Sequence, residues 1–415
     1  MKLIVIGGGA AGFFCAVNAA RLNPAMEVVI LEKTTKLLSK VKVSGGGRCN
    51  VTHGCFDITE MSNRYPRGKN FVRKSFHWFF TTDTIRWFEE RGVALKTESD
   101  GRMFPVSDNS QTVIDCLMKE ATLYGVQVRL QVSVESIHRL EGMFKLQTKA
   151  SGRDETTEAD AICIAAGGSS KTASYDWIRS LGHKVAYPVP SLFTFNIPDH
   201  PITALMGVSL EDAEVKIPLL KEKQRGPLLI THWGLSGPAV LKLSAWCAAG
   251  LARLKYDFSV LVNWAPSYHE SGMRDYLVSH REQFASVPVK NKNPFGIAQR
   301  LWDFLLHSSG IVNDLRWADL PAVLMNKLAR NICSYELKVS GKTTFKEEFV
   351  TAGGVNLSEI DPNTMMSRII PGLYFAGEIM DVDGVTGGYN FQHAWTSGFV
   401  AAKAIAGNVS KAEIN

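Results

Sequence analysis

The chain has 415 residues, 45% of them hydrophobic and 21% charged, with 35 glycines, 16 prolines and a net charge of +6. Such a length suits about two to three domains, the composition excludes a disordered, collagenous or membrane-spanning chain, and so small a charge excess demands no nucleic-acid partner. Seven scattered cysteines with no C-x-x-C pair exclude a zinc ribbon, a thioredoxin-type dithiol and a disulfide framework, so reduced thiols in a cytoplasmic protein are expected.

Leu3 to Ile6 is a short apolar, β-branched run, as expected of a strand buried on both faces. Four glycines (Gly7, Gly8, Gly9, Gly12) interrupt the apolar amino-terminal stretch, so a secretory signal is not expected. No stretch reaches the roughly 18 apolar residues of a membrane span. Ala10 to Leu22 reads as a helix closed by Pro24, and Glu27 to Leu31 as a second strand with Glu32 at its carboxyl end. Together they form one βαβ unit. Lys33 to Lys74 reads as a polar, glycine-rich loop. Thr82 or Asp83 is expected to cap a helix that runs to Arg91 and stops at Gly92, and Ser107 or Asp108 another that ends at Gly125. Strands follow near Val126–Leu130, Val132–Leu140, Phe144–Lys149 and Ala159–Ala165, three of them in the close succession of an antiparallel meander. Pro188 and Pro190 mark a boundary. Beyond it, residues 191–262 and 333–350 alternate like a small β unit, residues 263–332 are helical in pattern, and residues 351–415 resume the glycine-rich style of residues 1–190. The expectation is a nucleotide-binding domain interrupted by an insertion.

The chemistry begins at Gly7-Gly8-Gly9-Ala10-Ala11-Gly12, a G-x-G-x-x-G. Alone it is weak. Here it follows an apolar strand and opens a helix, with Glu32 20 residues beyond Gly12, which is the dinucleotide fingerprint. Gly7 permits the tight turn, Gly9 lets backbone approach a pyrophosphate, and Gly12 lets helix pack on strand. The helix terminus offers amides and partial positive charge to phosphates, and Glu32 would accept from a ribose hydroxyl. In a plain dehydrogenase more βα units should follow at once. Instead comes the long segment with Lys42-Val43-Ser44-Gly45-Gly46-Gly47-Arg48-Cys49-Asn50, whose glycines can wrap amides around an anion. Arg48 could add charge to a phosphate or lie near a reacting ring; the plain alternative is a flexible surface loop. Ala165-Ala166-Gly167-Gly168-Ser169 follows a strand and brings backbone to the nucleotide again. Gly372 to Glu378 is a strand running into Gly377 and an acid, and Asp381 to Asn390 leads into a helix beginning near Phe391. That helix end, aimed at the pyrimidine part of an isoalloxazine, would stabilise charge developing there. Asp381 and Asp383 lack the further acids of a calcium loop, so no metal is expected.

The glycine fingerprint, Glu32-Lys33, Ser44–Asn50, Gly101–Pro105 (GRMFP), Thr231–Pro238 (THWGLSGP) and Ala376–Asn390 (AGEIMDVDGVTGGYN) occur together. The set resembles the BaiN-like and aminoacetone-oxidase-like FAD-dependent flavoproteins of bacteria, over nearly the whole chain. The resemblance implies an α/β fold: a Rossmann-like FAD-binding domain split in sequence, an inserted β-barrel and a helical subdomain within that insertion. It implies non-covalent FAD, held by Gly7 to Gly12, Glu32, Lys33, Ser44 to Asn50, Glu378, and Gly388, Tyr389, Asn390 and Phe391; Gly168 and Gly377, from the glycine turns after the two later strands, complete the expected set. The backbone of Val134 would hold the adenine. His393 departs from the pattern, where a plain apolar residue is expected. Relatives linked to steroid-ring reduction and to amine oxidation fix the cofactor better than the substrate.

The expected activity is hydride transfer between flavin N5 and a small organic substrate or NAD(P)H, with a second substrate or oxygen as acceptor. No second G-x-G-x-x-G follows a strand, so no separate NAD(P) domain is expected, and NAD(P)H could still dock transiently over the flavin. Thr231, His232 and Trp233 are candidates for a pocket wall, although a loop histidine more often just satisfies backbone. No catalytic acid or base is assigned. One alternative is a dithiol reductase using Cys49 and Cys55, but six residues on a helix turn through about 600° and put the thiols on different faces. The other is an RNA-binding or RNA-modifying flavoprotein. Arg64, Arg67, Lys69, Arg73 and Lys74 lie together without an acid and interleave with Tyr65 and Phe71. Such a run is more often a solvated face or a neutraliser of pyrophosphate.

Overall fold

The computed structural model describes residues 1–312, 314–343 and 350–412. Of the strand alternation anticipated over residues 333–350, residues 344–349 lie outside those described, as do residues 413–415. Contacts divide the chain into two units, Met1–Pro190 with Phe345–Asn415, and Ser191–Thr344.

In the first unit the apolar runs become strands of one parallel sheet. Its elements are β1 (Lys2–Ile6), α1 (Ala10–Leu22), β2 (Glu27–Glu32), α2 (Ser110–Leu123), β3 (Gln127–Leu130), β4 (Ala161–Ile164), β5 (Leu373–Phe375) and the final helix α3 (Tyr389–Ala412). The strand order is β5-β4-β1-β2-β3, and every pairing is parallel. Leu3, Ile4 and Val5 have no exposed surface, because a parallel sheet covered on both faces excludes water from both sides of each strand. Register matters for function: Ile6 pairs with Leu31 and Ile164, and Ile164 with Phe375. Four strands therefore end in one row, and the segments after them leave from one sheet edge. Backbone bonds fix those exits, from Gly7 N–H to Leu31 O (2.8 Å), Ala165 N–H to Ile6 O (2.8 Å) and Ala376 N–H to Ile164 O (3.0 Å). The crevice outside the carboxyl ends of such strands is where open α/β sheets bind ligands.

Several local expectations are corrected. The meander is present but consists of Val132–Leu140, Met143–Ala150 and Arg153–Ala159. Its third strand, RDETTEA, has no apolar alternation because it is an exposed edge. The loop expected from Lys33 to Lys74 contains a short helix at Ile58–Ser62, another at Lys69–Ser75, a helical stretch from Ser39 and a strand at Thr52–His53. Each is under two turns or only a strand pair, too short for a periodic signal. They exist because Val41, Met61, Phe71 and Val72 bury against the unit. Helix Thr81–Glu89 starts a residue before the expected caps, with Asp83 accepting from Phe80 N–H (2.8 Å). α2 is capped by Asn109, not by Ser107 or Asp108.

The second unit is an antiparallel sheet ordered Tyr335–Ser340, Asp257–Asn263, Ser209–Ile217, Glu222–Thr231, Gly234–Ser236, Thr194–Asn196, Lys342–Thr343. Its first and last strands are consecutive in the chain through Gly341, so the sheet closes on itself as a barrel. Helices Glu270–Gln283, Gln299–Ser309 and Ala322–Cys333 follow or precede those strands. Trp302, Trp317 and Leu328 from the helical segment share one apolar cluster with Val215, Val260 and Leu337 of the barrel.

Candidate functional site

The glycine turn is built as its fingerprint requires. At Gly7 φ is +114°, and a Cβ there would stand 2.3 Å from Ala165 O; at Gly12 a Cβ would stand 2.0 Å from Gly7 O. A side chain at either position would push the turn off the sheet. Gly9 is the contrast, since nothing lies within 4 Å of a Cβ built on it. Gly9 caps α1 with no side-chain acceptor, and no acid sits in the first turn formed by Ala10, Ala11 and Gly12. The first amides of α1 have no intrahelical partners and face the sheet edge with the positive end of the helix dipole. Glu32 Oε2 accepts from Gly8 N–H (2.9 Å), while Oε1 accepts from Thr34 N–H and Oγ1 (both 2.8 Å). Those bonds fix the carboxylate and leave lone pairs for a hydroxyl. Lys33 is exposed beside it. Val134 lies where the meander register breaks, between Val134 and Ser136, a few residues after Leu130, which pairs with Glu32.

Within Ser44–Asn50 the three glycines take φ of +59°, +70° and +86°, a conformation that non-glycine residues rarely adopt. Gly46 and Gly47 face open space, while Gly45 packs against Phe104. Ser44 is committed locally, its Oγ donating to Val41 O (3.1 Å) and its carbonyl accepting from Cys49 N–H (3.0 Å). The side chain of Arg48 is spent within the protein. It pairs with Glu98 (2.6 Å) and Asp108 (3.6 Å) and stacks over Phe104, with Cζ 4.0 Å from the ring centroid. The charge expected at a phosphate or near a reacting ring is thus shared with two carboxylates of the protein itself. Asn50 braces the two ends of the chain: with its amide turned so that both atoms find complementary partners, the oxygen accepts from Gly388 N–H (2.9 Å) and the nitrogen donates to Thr52 O (2.9 Å). Burial pushes the Cys49 thiol up to about 12 and raises that of Cys55 as well. Both are free cysteines, held as thiols, whereas the nucleophile of a dithiol reductase is the thiolate.

The carboxyl-terminal motifs reach the same edge. A Cβ on Gly168 would overlap Thr351 Oγ1 (2.4 Å) and Glu378 Oε1 (2.5 Å), and one on Gly377 would meet Ala11 Cβ (2.7 Å). The end of β5 therefore touches the start of α1. Glu378 accepts from Thr351 N–H (2.8 Å) and pairs with Lys40 (2.5 Å). Ser397, two turns into α3, accepts from Gly377 N–H (2.9 Å). Asp383 is fully buried in an ion pair with Arg67, and Asp381 accepts from Gly353 N–H (3.1 Å); these acids order the loop before α3. Among the described residues no group of His, Cys, Asp and Glu assembles a metal site. Asn390 ties back to Gly384 through both its amide atoms (2.8 and 2.9 Å), Phe391 stacks on Trp395, and Gly388 and Tyr389 open the helix.

Sequence reading missed the pair that steadies that opening. His53 Nδ1 bonds with Gly387 O (3.0 Å), its ring stacks on Tyr389 (4.8 Å between centroids), and Tyr65 donates to Tyr389 O (2.6 Å). Burial lowers the His53 pKa and lifts the Tyr389 hydroxyl to about 12. These partners lie more than 300 residues apart, so no local motif could announce them. His393 is buried beside Gly377, and desolvation lowers it to about 4, so it is neutral. In the second unit, Thr231 Oγ1 donates to Gly234 O (3.1 Å) and His232 contacts the Trp233 ring (3.9 Å).

An open glycine cradle, an uncapped helix terminus and an oriented carboxylate acceptor fit a dinucleotide cofactor, with diphosphate at α1 and ribose at Glu32. A long second glycine segment and a second helix terminus fit its larger, ring-bearing part. Fold and site define a Rossmann-type, dinucleotide-binding oxidoreductase. The HI0933-like protein Rossmann domain matches residues 1–404, and the chain belongs to that family, one of FAD-dependent oxidoreductases. It is 30% identical over 414 residues to a 3-dehydro-bile acid delta(4,6)-reductase of Clostridium scindens, covering 98% of this chain and 99% of that protein. It is also 30% identical over 420 residues to a ribosomal RNA dihydrouridine synthase of Haemophilus influenzae, covering 97% and 98%. Among solved structures, the 3-ketosteroid delta1-dehydrogenase of Sterolibacterium denitrificans superposes with a TM-score of 0.52 at 14% identity over 98% of this chain and 99% of that one. The 3-ketosteroid-delta4-(5alpha)-dehydrogenase of Rhodococcus jostii gives 0.51 at 13% over 97% of each. At those identities the likeness is one of fold. No helix among the described residues is long and apolar enough to cross a membrane.

Proposed function

We propose that this protein uses non-covalent FAD to saturate a carbon–carbon double bond conjugated to a carbonyl, with NAD(P)H or another small organic molecule as hydride donor. The observation that carries this reading is chemical. Two relatives of equal identity and full-length coverage are named for different substrates, a bile acid and a ribosomal RNA, yet a delta(4,6)-reductase and a dihydrouridine synthase both add two hydrogens across an activated alkene. What such substrates share is the electron-poor double bond.

FAD, when bound, supplies hydride chemistry at its N5 position. The protein's part is to bind, orient and balance charge. Amides at the start of α1 would hold the diphosphate, Glu32 the adenosine ribose, and the Val134 backbone the adenine. Amides of Gly45 to Asn50 and the carboxylate of Glu378 would line the path to the rings. The opening of α3, fixed by Asn50, Asn390 and the His53–Tyr389 stack, would present Gly388 to Phe391 with the positive end of a helix dipole. That end would stabilise negative charge at the pyrimidine side in advance, without reorganisation during the reaction.

The test uses the purified holoprotein under anaerobic conditions. NADH, NADPH and a set of amines are screened for bleaching of the visible flavin absorption, then 2-cyclohexenone, a 3-keto-4-ene steroid and uridine for its return. Bleaching by a nicotinamide and recovery with an activated alkene are expected. A colourless preparation that takes up no added FAD, or reduced protein that no activated alkene reoxidises, overturns the reading.

A further inference from the structure

An open groove of about 610 Å³ lies in the first unit, lined by none of the residues assigned to the cofactor. It runs between helix Lys69–Ser75 and the segment from Leu357 to Arg368. Three cations line it, Lys69, Lys74 and Arg368, together with Asn70, Ser358 and Pro362, and no carboxylate does. The helix is amphipathic by position. Phe71, Val72 and Ser75 are buried, which leaves Lys69, Asn70, Arg73 and Lys74 exposed on the other face. Lys69, Arg73 and Lys74 form no ion pair among the described residues, and Arg368 has only a loose one with Asp361 (3.8 Å). Glu359, the other nearby acid, is occupied by His183 (3.2 Å) and Lys184 N–H (2.9 Å).

Beside these cations stands an exposed aromatic. Trp78 keeps 46% of its surface in solvent, and its indole N–H is fixed by Asn363 Oδ1 (3.1 Å), the neighbour of Pro362 in the groove wall. Lys403 lies 5.0 Å from its ring centroid. A buried environment would explain a tryptophan at this place, but this one is not buried. The groove is also joined to the redox site. A Cβ on Gly68 would strike Val382 (2.6 Å), and Arg67 holds the buried Asp383; both partners belong to the loop that leads into the opening of α3.

We propose that this groove is a docking surface for single-stranded RNA, with Lys69, Lys74 and Arg368 on backbone phosphates and a base stacked against Trp78. Cations along a groove, two of them (Lys69 and Lys74) without an ion pair among the described residues and Arg368 only loosely paired, with an exposed aromatic at its side, are what a sequence-tolerant single-strand site requires. The groove is far roomier than a free phosphate needs, and two relatives are named for action on ribosomal RNA. The inference rests on the reductase reading in one respect: the docked strand would carry the double bond to be saturated.

The experiment is fluorescence anisotropy of the FAD-loaded protein with a short fluorescein-labelled single-stranded RNA, over 50–200 mM KCl. Three phosphate contacts predict a log–log salt slope of about −2, which is about 20-fold weaker binding across that range. The triple variant Lys69→Glu, Lys74→Glu, Arg368→Glu should bind at least about 10-fold more weakly at low salt, with its flavin spectrum and melting temperature unchanged. Trp78→Ala should weaken binding about 5-fold or more and leave the salt slope as it was. Wild-type protein that binds no RNA, a charge-reversed variant that binds as tightly, or retention only on phosphatidylglycerol vesicles overturns the proposal. If alkene reduction persists while RNA binding fails, only the groove is refuted; if RNA binds and no alkene reacts, the reductase reading falls instead.

Discussion

Replacing Gly9 by alanine separates the stability of the fold from the grip on the cofactor. Gly9 has φ −92° and ψ −172°, an extended conformation open to any residue, and no atom lies within 4 Å of a Cβ there. The protein stripped of flavin should accept the methyl group, and the lower entropy of the unfolded chain should leave stability unchanged or raised by up to about 1 kcal/mol. The same methyl group would stand where a diphosphate must approach the first amides of α1. Losing one hydrogen bond to a charged group costs about 1.5–3 kcal/mol, so the FAD dissociation constant should rise about 10- to 150-fold. Gly12→Ala provides the contrast. Its Cβ would stand 2.0 Å from Gly7 O and 3.3 Å from Val5 Cγ1, so the helix must lift from the strand, and the apoprotein itself should lose about 1–3 kcal/mol. Urea unfolding of both apoproteins and titration of flavin fluorescence measure the two effects. A Gly9→Ala protein that binds FAD as tightly as wild type refutes the placement of the diphosphate. One that unfolds as readily as Gly12→Ala refutes the geometry of the turn.

Other perturbations probe the rest of the site. Arg67→Ala leaves the buried carboxylate of Asp383 without its guanidinium, and should destabilise the protein by about 3–5 kcal/mol in urea unfolding; a loss under about 1 kcal/mol would contradict the role given to the pair. Cys49→Ser and Cys55→Ser should leave turnover intact. Because burial holds the Cys49 thiol near 12, roughly one molecule in ten thousand carries its thiolate at pH 8, and iodoacetamide should label it only on unfolding. His393 is neutral in the fold with a pKa of about 4, against about 6.5 in an unfolded chain. The unfolded state therefore binds more protons as pH falls through that window, and stability should drop by about 3 kcal/mol between pH 6.5 and pH 4. His393→Phe should remove that part of the acid slope; an unchanged slope would show the histidine to be protonated in the fold.

Much of the site was legible because its steric demands are local. Gly7 and Gly12 lie where backbone meets backbone at 2.0–2.3 Å from a missing Cβ, a requirement only glycine meets, so the motif appears in the chain itself. The βαβ unit around it was legible for a related reason: a strand buried on both faces must be apolar throughout. The short helices between Ile58 and Ser75 were not, since a stretch under two turns carries no readable period and its burial is decided by what it meets. The same holds for Arg48. Three glycines precede it, yet its charge is paired with Glu98 and Asp108, about 50 residues away or more.

The amino-acid sequence by itself determined the parallel strands, the two glycine segments that admit a close ligand, and the acceptor at Glu32, each a property of neighbouring residues and of the few conformations they allow. Only the tertiary structure decided that Gly377 abuts Ala11, that Asn50 and His53 steady the opening of α3, and that cations gather beside Trp78. Those relations join residues up to some 360 positions apart, brought together by burial of the parallel sheet between its helices. Burial is a collective term that no short window of sequence contains.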